Sequence, residues 1–444
     1  MKHLKFLSAM ALIAAVFACN DDDDVVVPPP PQPVVDTVLR GSLIASDTLT
    51  SDRTWILKGY VYVTNGLTLT IQPGTRIVSD ITEKGALIVE RGAKIIAEGT
   101  ATQPIVFTSG KPSGQRAPGD WGGVVILGRA RTNRSSTPII EGGIDRPYGG
   151  TDDADNSGVM RYVRIEYAGI AAFANSEINS LTLGGVGSGT TIEYIQTSYA
   201  NDDAYEFFGG KVNAKYLVAA YTADDDFDFD FGYTGKLQYG VALRDPAFVD
   251  AGDAGNGIES DNDNPPTTAT PYTRAVISNF TWVGPNGATG TAANHNYANR
   301  FRRNTRFVVR NSILMGYQKG GFSIEQDNTG TDYKTDLSVF AQNLVHAVVD
   351  PYRASSATTI TGAEMKTKAE ANGCITYASA NDINLENPFS LTAPNFLPKA
   401  GSPALTGAVY NGDLDAFFTQ GTYRGAFGTT NWLTGWTRFF TNGQ

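Results

Sequence analysis

Cysteine is nearly absent from this sequence, with only Cys19 and Cys374 among 444 residues. Cys19 lies in an N-terminal processing segment, which leaves Cys374 without a partner, so we predict no intramolecular disulfide and assign Cys374 to the core. Long apolar runs are absent after the first eighteen residues, and we therefore expect no transmembrane helix. No second linker follows Thr37, which favours one long domain over residues 38–444.

Positive charge is scarce as well. The formal net charge is −10, and an acidic surface argues against nucleic acid as a partner. Such a surface is compatible with metal ions and neutral glycans. It is compatible with anionic glycans only where calcium or basic side chains bridge the two. The 48 glycines, together with few Lys/Glu-rich stretches, argue against an α-helical protein.

The N-terminus has the organisation of an export signal. Lys2 and Lys5 precede an apolar run that is too short to span a bilayer, and the run ends in "VFAC". We predict a signal peptide over 1–18, with cleavage before Cys19 and lipidation of its thiol. The alternative is an ordinary secretory signal in which Cys19 has no role.

The residues after Cys19 predict how the domain is displayed. "CNDDDD" resembles the acidic export tag of Bacteroidota lipoproteins, and its alternative interpretation is a solvated tail. The proline-rich stretch 25–37 predicts an extended stalk. We therefore expect residues 19–37 to hold a lipid-anchored domain at the outer membrane, facing the cell exterior.

Short alternating strands recur along the rest of the chain. "GLTLTIQPGTRI" (66–77) is echoed by "GALIVERGAKI" (85–95). A second series of strands begins at residues 162, 194, 216, 239, 275 and 307. Its shortest spacing, 22 residues, matches one coil of a β-solenoid, and longer spacings require inserted loops. A β-sandwich or propeller would show hairpin signals or a fixed blade period, and neither is clear.

Two segments depart from the repeat. Residues 361–373 form the one helix-like patch, which we interpret as an insertion. The aromatic-rich stretch of about 390–444 predicts a cap that closes the C-terminal end of the solenoid. The sequence therefore predicts an all-β solenoid with loop insertions and a C-terminal cap.

Several phrases resemble a known superfamily: "GALIVERGAKIIAEGTATQPIVFTS", "GDWGGVVILGRA", "DDAYEFFGGKVNAKYLV", "NGIESDND" and "YRGAFG". Together they are similar to the pectin-lyase-like right-handed parallel β-helix proteins, and more closely to a group of Bacteroidota surface lipoproteins with this fold. The superfamily implies extracellular polysaccharides as partners, through lyases, hydrolases or non-catalytic binding modules. The fold by itself does not decide among these functions.

One acidic pattern occurs twice. Asp202, Asp203 and Glu206 return 22 residues later as Asp224, Asp225 and Asp228, with aromatic residues in the gaps both times. One coil apart, register partners lie about 4.8 Å from each other. We therefore predict that the aromatic rings stack inside and that the acids form an outward ladder. The candidate ladder or glycan site comprises Asp202, Asp203, Glu206, Asp228, Asp230, Glu259, Glu325, Lys211, Arg300 and Arg302.

Stacked carboxylates repel one another unless something neutralises them. Calcium is one candidate, because hard cations take several oxygen ligands. The alternative is that these aspartates only form Asx turns between strands. The candidate calcium ligands are Asp224, Asp225, Asp226, Glu259, Asp261 and Asp263.

Basic side chains and shared protons are the other two candidates. Lys211, Arg300 and Arg302 either form ion pairs or bind uronate or sulfate groups. In lyases of this fold, the resemblance implies, calcium offsets the uronate carboxylate and an Arg or Lys removes a proton. A carboxylate pair sharing protons would instead suit a glycoside hydrolase.

Three functions follow, of which we favour the first. It is a surface lipoprotein that binds or organises extracellular polysaccharide, with calcium supporting acidic loops. The second is a calcium-dependent polysaccharide lyase or glycoside hydrolase. The third is a structural or adhesive protein whose partner is another cell-surface component.

Overall fold

A computed structural model describes residues 37–173, 176–357 and 359–444. Thr37–Gln444 form one compact unit. The signal peptide, Cys19, the acidic tag and the stalk up to residue 36 lie outside the described residues. Within the described ranges, no helix has the length and apolar character needed to cross a membrane.

Strands dominate the chain from its first described residues. The N-terminal coils contain β1 Val38–Ser42, β2 Asp47–Leu49, β3 Thr54–Val63, β4 Thr68–Ile71, β5 Arg76–Ser79, β6 Ala86–Val89, β7 Lys94–Glu98, β8 Ile105–Thr108 and β9 Val124–Leu127. The middle coils contain β10 Gly158–Glu166, β11 Ala171–Phe173, β12 Ser176–Glu177, β13 Leu181–Gly184, β14 Thr191–Ser198, β15 Tyr205–Phe208, β16 Asn213–Ala220, β17 Phe227–Asp230, β18 Lys236–Leu243, β19 Glu259–Ser260 and β20 Arg274–Val283.

The C-terminal coils add two short helices. Their elements are β21 Tyr297–Phe301, β22 Arg306–Arg310, β23 Ile313–Tyr317, β24 Gly320–Glu325, α1 Asp327–Lys334, β25 Val339–Ala341, β26 Leu344–Ala347, β27 Asp350–Ser355, α2 Gly362–Ala371, β28 Ile375–Thr376, β29 Leu385–Asn387 and β30 Asn395–Pro398. Two 3₁₀ turns, at Ala380–Ile383 and Pro403–Leu405, complete the described elements.

Twenty-six strands join into one coiled sheet with parallel pairing, which confirms the predicted right-handed parallel β-helix. The sheet has three faces. Face A holds β2, β4, β7, the first halves of β10, β14, β16, β18 and β20, then β22 and β25. Face B holds the start of β3, β5, β8, the second halves of those long strands, then β23, β26 and β28. Face C holds the end of β3, β6, β9, β13, β15, β17, β19, β21, β24 and β27.

The long strands of the second predicted series stack on one another in successive coils. Ile195 of β14 pairs with Val163 below it and with Leu217 above it. The echo between 66–77 and 85–95 has a different origin. Lys94 pairs with Thr68 rather than with Arg76. The first phrase therefore occupies faces A and B, and the second phrase continues along the chain on faces C and A, so the two phrases do not lie directly above one another. In both phrases a positive-φ glycine, Gly74 or Gly92, turns the chain from one strand to the next, and this explains the similarity.

Aromatic rings fill the inside of the middle coils, as the alternation predicts. The rings of Tyr205 and Phe227 stack with centroids 5.0 Å apart, and those of Phe207 and Phe229 with centroids 5.1 Å apart. All four side chains belong to the inner core and are fully buried. Phe208 points to the opposite, outer side of the same strand, where it packs with Tyr148 and Leu127, and alternation places Glu206 on that outer side as well.

Four tyrosines line the corner between faces A and B. Tyr162, Tyr194, Tyr216 and Tyr239 all adopt positive φ, from 51° to 63°, a conformation that costs energy for a bulky residue. Their rings stack in sequence at centroid distances of 4.4, 4.2 and 5.1 Å. The stacking offsets the cost of the tight corner.

The aromatic C-terminal segment lies elsewhere than predicted. Residues 425–444, the C-terminal strap, run along the side of the solenoid beside this tyrosine corner. The Gly425 amide donates to Asn311 O (2.7 Å), and Gln444 O accepts from the Tyr167 hydroxyl (3.0 Å). Helix α2 instead packs on the last coil, where Met365 and Ala369 join the inner core. The patch interpreted as an insertion is therefore the part that covers the end of the core.

A long insertion covers one side of the early coils. The cover loop, residues 128–157, lies between β9 and β10. Its Ile140, Ile144 and Tyr148 pack on Val125 and Leu127, which point outward from face C. The middle coils of face C lie beside this loop, and their outward side chains are the acids of the repeated motif.

Candidate functional site

The repeated acids form a row on the outer side of face C. Glu206 of β15 is the register partner of Asp228 of β17, and Asp228 is the partner of Glu259 of β19. We call these three residues the acid row. Along their strands, residues alternate between the stacked rings inside and the outer side, so the carboxylates point outward. Each carboxylate lies one coil above the previous one. The 22-residue spacing therefore predicted the pairing of Glu206 with Asp228 correctly.

A second column runs beside the acid row, in the loops that enter face C. In this column, a backbone amide donates a hydrogen bond to an aspartate side chain one coil below. The Asp225 amide donates to Asp203 Oδ1 (2.8 Å), and the Asn256 amide donates to Asp225 Oδ1 (2.6 Å). These bonds join successive coils, so they differ from the local Asx turns that the sequence offered as an alternative, and they use one oxygen of each aspartate. The second oxygen of each remains available to a ligand.

Three overlapping groups of carboxylates could each hold a metal ion. In each group the candidate ligand atoms lie within 4.8 Å of one another. Asp203 belongs to the first and second groups, and Asp228 to the second and third, so the groups form one continuous line. The groups are Asp202–Asp203–Asp224, Asp203–Glu206–Asp228 and Asp225–Asp228–Glu259.

The residues of this line fit a hard cation. Asp228 Oδ1 and Asp224 Oδ1 are buried atoms with no hydrogen-bond partner among the described residues. A buried carboxylate oxygen without a donor is costly, and a cation would satisfy it. The donors are all oxygens from carboxylates, which is the set that calcium prefers.

Without a cation, the site is electrostatically unfavourable. Burial raises the pKa of Asp203, Glu206 and Asp228 well above the usual range, and neighbouring carboxylates raise these pKa values further. Asp202 and Asp224 are raised by the same two causes. Burial also raises the pKa of Asp225, to about 6, against the opposing effect of Arg244. These carboxyls therefore hold protons at a pH where exposed ones have lost them.

This electrostatic arrangement predicts an inverted pH dependence of stability for the metal-free protein. A carboxyl with a raised pKa binds its proton more tightly in the folded state, so the free energy of unfolding falls as pH rises. We expect the Tm in chelator to fall as pH rises from about 4 to about 6, the range between the unfolded pKa and the folded value for Asp225. Thermal unfolding followed by circular dichroism measures it. A Tm in chelator that rises across this range would contradict the prediction.

Arginines close the C-terminal end of the acid row. Arg300 is the register partner of Glu259 and contacts Glu259 (2.8 Å) and Glu325 (2.8 Å). Arg302 contacts Asp261 (2.9 Å) and also bonds Glu259. Of the two interpretations of these arginines, the structure shows the ion pairs. The acid row is therefore neutralised at this end and uncompensated at the other.

Glu325 and Lys211 do not take the places that the sequence predicted. Ser323 rather than Glu325 is the register partner of Arg300, because β24 pairs with β21 in a register that differs by two residues from the predicted one. Lys211 follows the Gly209–Gly210 corner, and its ammonium pairs with Asp153 at 3.6 Å. Asp230 lies one column beside the acid row, as the register partner of Phe208.

Three of the predicted calcium ligands are bound by arginines instead. Asp226 is fully buried, and its carboxylate accepts from Arg244 (3.1 Å) and Tyr317 (3.0 Å). Asp261 pairs with Arg302 and Arg303, and Asp263 pairs with Arg134. The prediction is therefore wrong for these three residues, whose charges are already balanced. Asp224, Asp225 and Glu259 do lie in the candidate metal groups.

An aromatic pocket adjoins the acid row on the side of the cover loop. The pocket, about 280 Å³, is lined by Phe208, Phe231, Tyr148, Arg134 and Glu141. The Phe208 and Phe231 rings stack at 5.5 Å, and the guanidinium of Arg134 lies 4.5 Å from the centre of the Phe231 ring. The carboxyl group of Glu141 interacts with that of Glu206, so the pocket is continuous with the acid row.

Sequence reasoning missed the residues that reach this site from other segments. Glu141 and Arg134 come from the cover loop, and Asn179 bonds both Glu206 and the Asp203 amide. Arg244 holds the loop that carries Asp224 by donating to the Asp224 carbonyl oxygen (2.6 Å). The cover loop has no repeat to align, so no spacing in the sequence relates its residues to the acid row.

Comparison with known proteins agrees with this architecture. The family model of the pectate-lyase-like β-helix domain matches residues 41–387, and the chain belongs to this family. The search of curated proteins gives no match. Among solved structures, the crystal structure of pectate lyase Pel9A is similar, with 12% identity, a TM-score of 0.29, and coverage of 85% of this chain and 88% of that one. The family's fold is consistent with binding or processing of polysaccharide.

Proposed function

We propose that this protein binds acidic polysaccharide along the outer side of face C, with calcium held by the acid row and its neighbours. The observation that carries the proposal is the continuous line of buried and half-buried carboxylates, whose charge is uncompensated except at Glu259. The membership of the chain in the pectate-lyase-like β-helix family supports polysaccharide as the ligand class.

Calcium would serve two purposes at this position. It would offset the repulsion among the carboxylates, and it would offer its remaining coordination positions to oxygens of a ligand. A uronate carboxylate is suited to those positions because it brings negative charge to the cation. An acidic glycan can therefore bind at the negatively charged acid row only when calcium is present.

The aromatic pocket extends the surface beyond the ions. Sugar rings have apolar faces that pack on aromatic side chains, and Phe231 is only partly buried. Arg134 stands over that ring while its guanidinium pairs with Asp263, which keeps the ring in place at the edge of the pocket. The pocket and the acid row together provide adjacent subsites for one chain.

Binding is favoured over cleavage by the state of the basic side chains. A lyase needs a base that is free to accept a proton from the sugar. Arg300, Arg302 and Arg303 are the cations beside the acid row, and each is held in ion pairs with Glu259, Asp261 or Glu325. Breaking those ion pairs would cost more free energy than the released guanidinium could regain.

The test uses the chain from Val38 onward and a panel of uronate and neutral polysaccharides. Affinity is measured by isothermal titration calorimetry with calcium and with chelator, and unsaturated products are followed by ultraviolet absorbance. We expect calcium-dependent binding of uronate polymers without product. Calcium-dependent product would make the site that of a lyase, and an affinity unaffected by chelator would remove calcium from the proposal.

We further propose that the domain is displayed from the outer membrane through a lipid on Cys19. The signal run, the "VFAC" junction and the proline-rich stretch support this placement. Labelled palmitate should enter the wild-type chain in cells, and Cys19→Ala should lose the label. Protease added to intact cells should degrade the domain if it faces the exterior, and protection from protease would contradict that orientation.

A further inference from the structure

A second pocket lies on the other side of the cover loop. Its volume is about 480 Å³, within the range of about 300–1,000 Å³ that small-molecule sites occupy. It is lined by turns that follow face C, including Asn65, Arg91 and Arg129, and by Arg146 and Gly149 of the cover loop. The same loop therefore separates this pocket from the aromatic pocket beside the acid row.

Two arginines in this pocket have no carboxylate partner. Arg91 donates to the backbone oxygen of Gly149 (3.0 Å), and Arg129 donates to the side-chain oxygen of Asn65 (3.2 Å). Neither forms an ion pair with another described residue. The arginines beside the acid row differ in this respect, because they are all bound to acids.

The carboxylates near this pocket are otherwise engaged. Glu90 pairs with Arg146 at 2.6 Å, and the Arg146 guanidinium also lies 4.3 Å from the centre of the Tyr62 ring. Asp152 accepts from the Ala154 amide at 3.1 Å and stabilises a turn at the rim. The pocket thus presents two guanidinium groups without an ion pair, Arg91 and Arg129, with the Asp152 carboxylate also in its lining.

The backbone at the base of the pocket is shaped around Arg129. Gly92 adopts a φ of +80°, and a Cβ there would come within 2.2 Å of Arg129 Nη2 and of Asn65 Oδ1. Glycine leaves room for the guanidinium to lie against this turn. Arg129 is itself exposed, and its bond with Asn65 holds the guanidinium beside the turn.

We propose that this pocket is a second subsite that binds the carboxylate of an acidic sugar directly, without calcium. Guanidinium groups donate paired hydrogen bonds to carboxylates, and the ring of Pro147 gives an apolar wall. The inference rests on the proposed function, because it takes the same class of ligand. It differs in mechanism, since a cation supplies the charge at the acid row and arginines supply it here.

The experiment separates the two subsites by calcium. A galacturonate oligomer is titrated calorimetrically in calcium and in chelator against wild type, Arg129→Gln and the double variant Arg91→Gln/Arg129→Gln. We expect wild type to keep binding in chelator, and the double variant to lose about tenfold or more of that affinity. Arg129→Gln removes only the contact with Asn65, so the fold does not depend on it.

Arg131→Gln is the matched control, since Arg131 is exposed and pairs with Asp153 away from the pocket. It changes the net charge as much as Arg129→Gln does, so an equal loss of affinity in these two single variants would mean nonspecific attraction and would overturn the inference. Unchanged binding in the double variant would also overturn the inference, and so would a lack of binding by wild type in chelator. In either case, binding in calcium would leave the proposed function intact. Binding in chelator alone would support this pocket and remove the calcium site. Tighter binding of a sulfated disaccharide than of the uronate would overturn the carboxylate assignment.

Discussion

Asp228→Asn is expected to abolish most of the response to calcium. Asp228 belongs to two of the three carboxylate groups, so its loss interrupts the line at its centre. We expect calcium affinity to fall by about 100-fold, because a unit charge near 4 Å contributes several kcal/mol even at an effective dielectric constant of about 20. Calorimetric titration with calcium measures the loss, and affinity for uronate polymer should fall with it.

The same substitution should raise the Tm of the metal-free protein. Asp228 Oδ1 is buried without a partner, and the amide of asparagine removes a like charge while donating to Glu206 or Glu259. Opposite effects in chelator and in calcium distinguish a metal site from a damaged fold. Asp382→Asn, an exposed carboxylate on another part of the surface, is the control and should change neither value. A lower Tm in both conditions would show that Asp228 has only a structural role.

Trp436→Ala should be the most destabilising single change in the C-terminal strap. Trp436 is fully buried, lies edge-on to the rings of Tyr162 and Tyr194 at 5.9 Å each, and donates to the Trp432 carbonyl oxygen (2.8 Å). Removing a buried tryptophan side chain costs about 3–5 kcal/mol. Urea unfolding followed by circular dichroism should show the midpoint shift.

Trp436→Phe should recover part of that loss, since a ring still covers the tyrosine corner. Thr430→Ala changes an exposed position of the same strap and should stay within about 0.5 kcal/mol of wild type. If Trp436→Ala matched Thr430→Ala, the strap would be a loose tail rather than part of the packed structure.

Sequence periodicity predicted the coil well where no loop interrupts it. The spacing between Glu206 and Asp228 is one uninterrupted coil, and their pairing follows directly. Glu325 shows the limit of this reasoning. Alternation places Phe322 and Ile324 inside and therefore Ser323 and Glu325 outside, but it cannot decide which of the two outward residues meets Arg300. The length of the preceding loop decides that, and no local pattern encodes it.

The candidate site was predictable mainly for residues of the repeated coil, on its strands and in the loops that lead into them. Asp226 carries the same charge as its neighbours in sequence, yet it points to Arg244 in the interior while Asp225 points to the carboxylate groups. The cover loop and the strap also escaped prediction. Their positions depend on contacts between residues far apart in the chain, such as Tyr148 with Phe208 and Trp436 with Tyr162.

The strap has a mechanical consequence for a protein that grips a polymer. Coils of a solenoid touch only their neighbours, so an end coil can fray without disturbing the rest. The strap contacts Asn311 at one end and Tyr167 at the other, and thus ties distant coils to one another. A pull on the bound polymer would therefore be shared along the solenoid, and the coils between Tyr167 and Asn311 should yield together instead of unzipping one at a time.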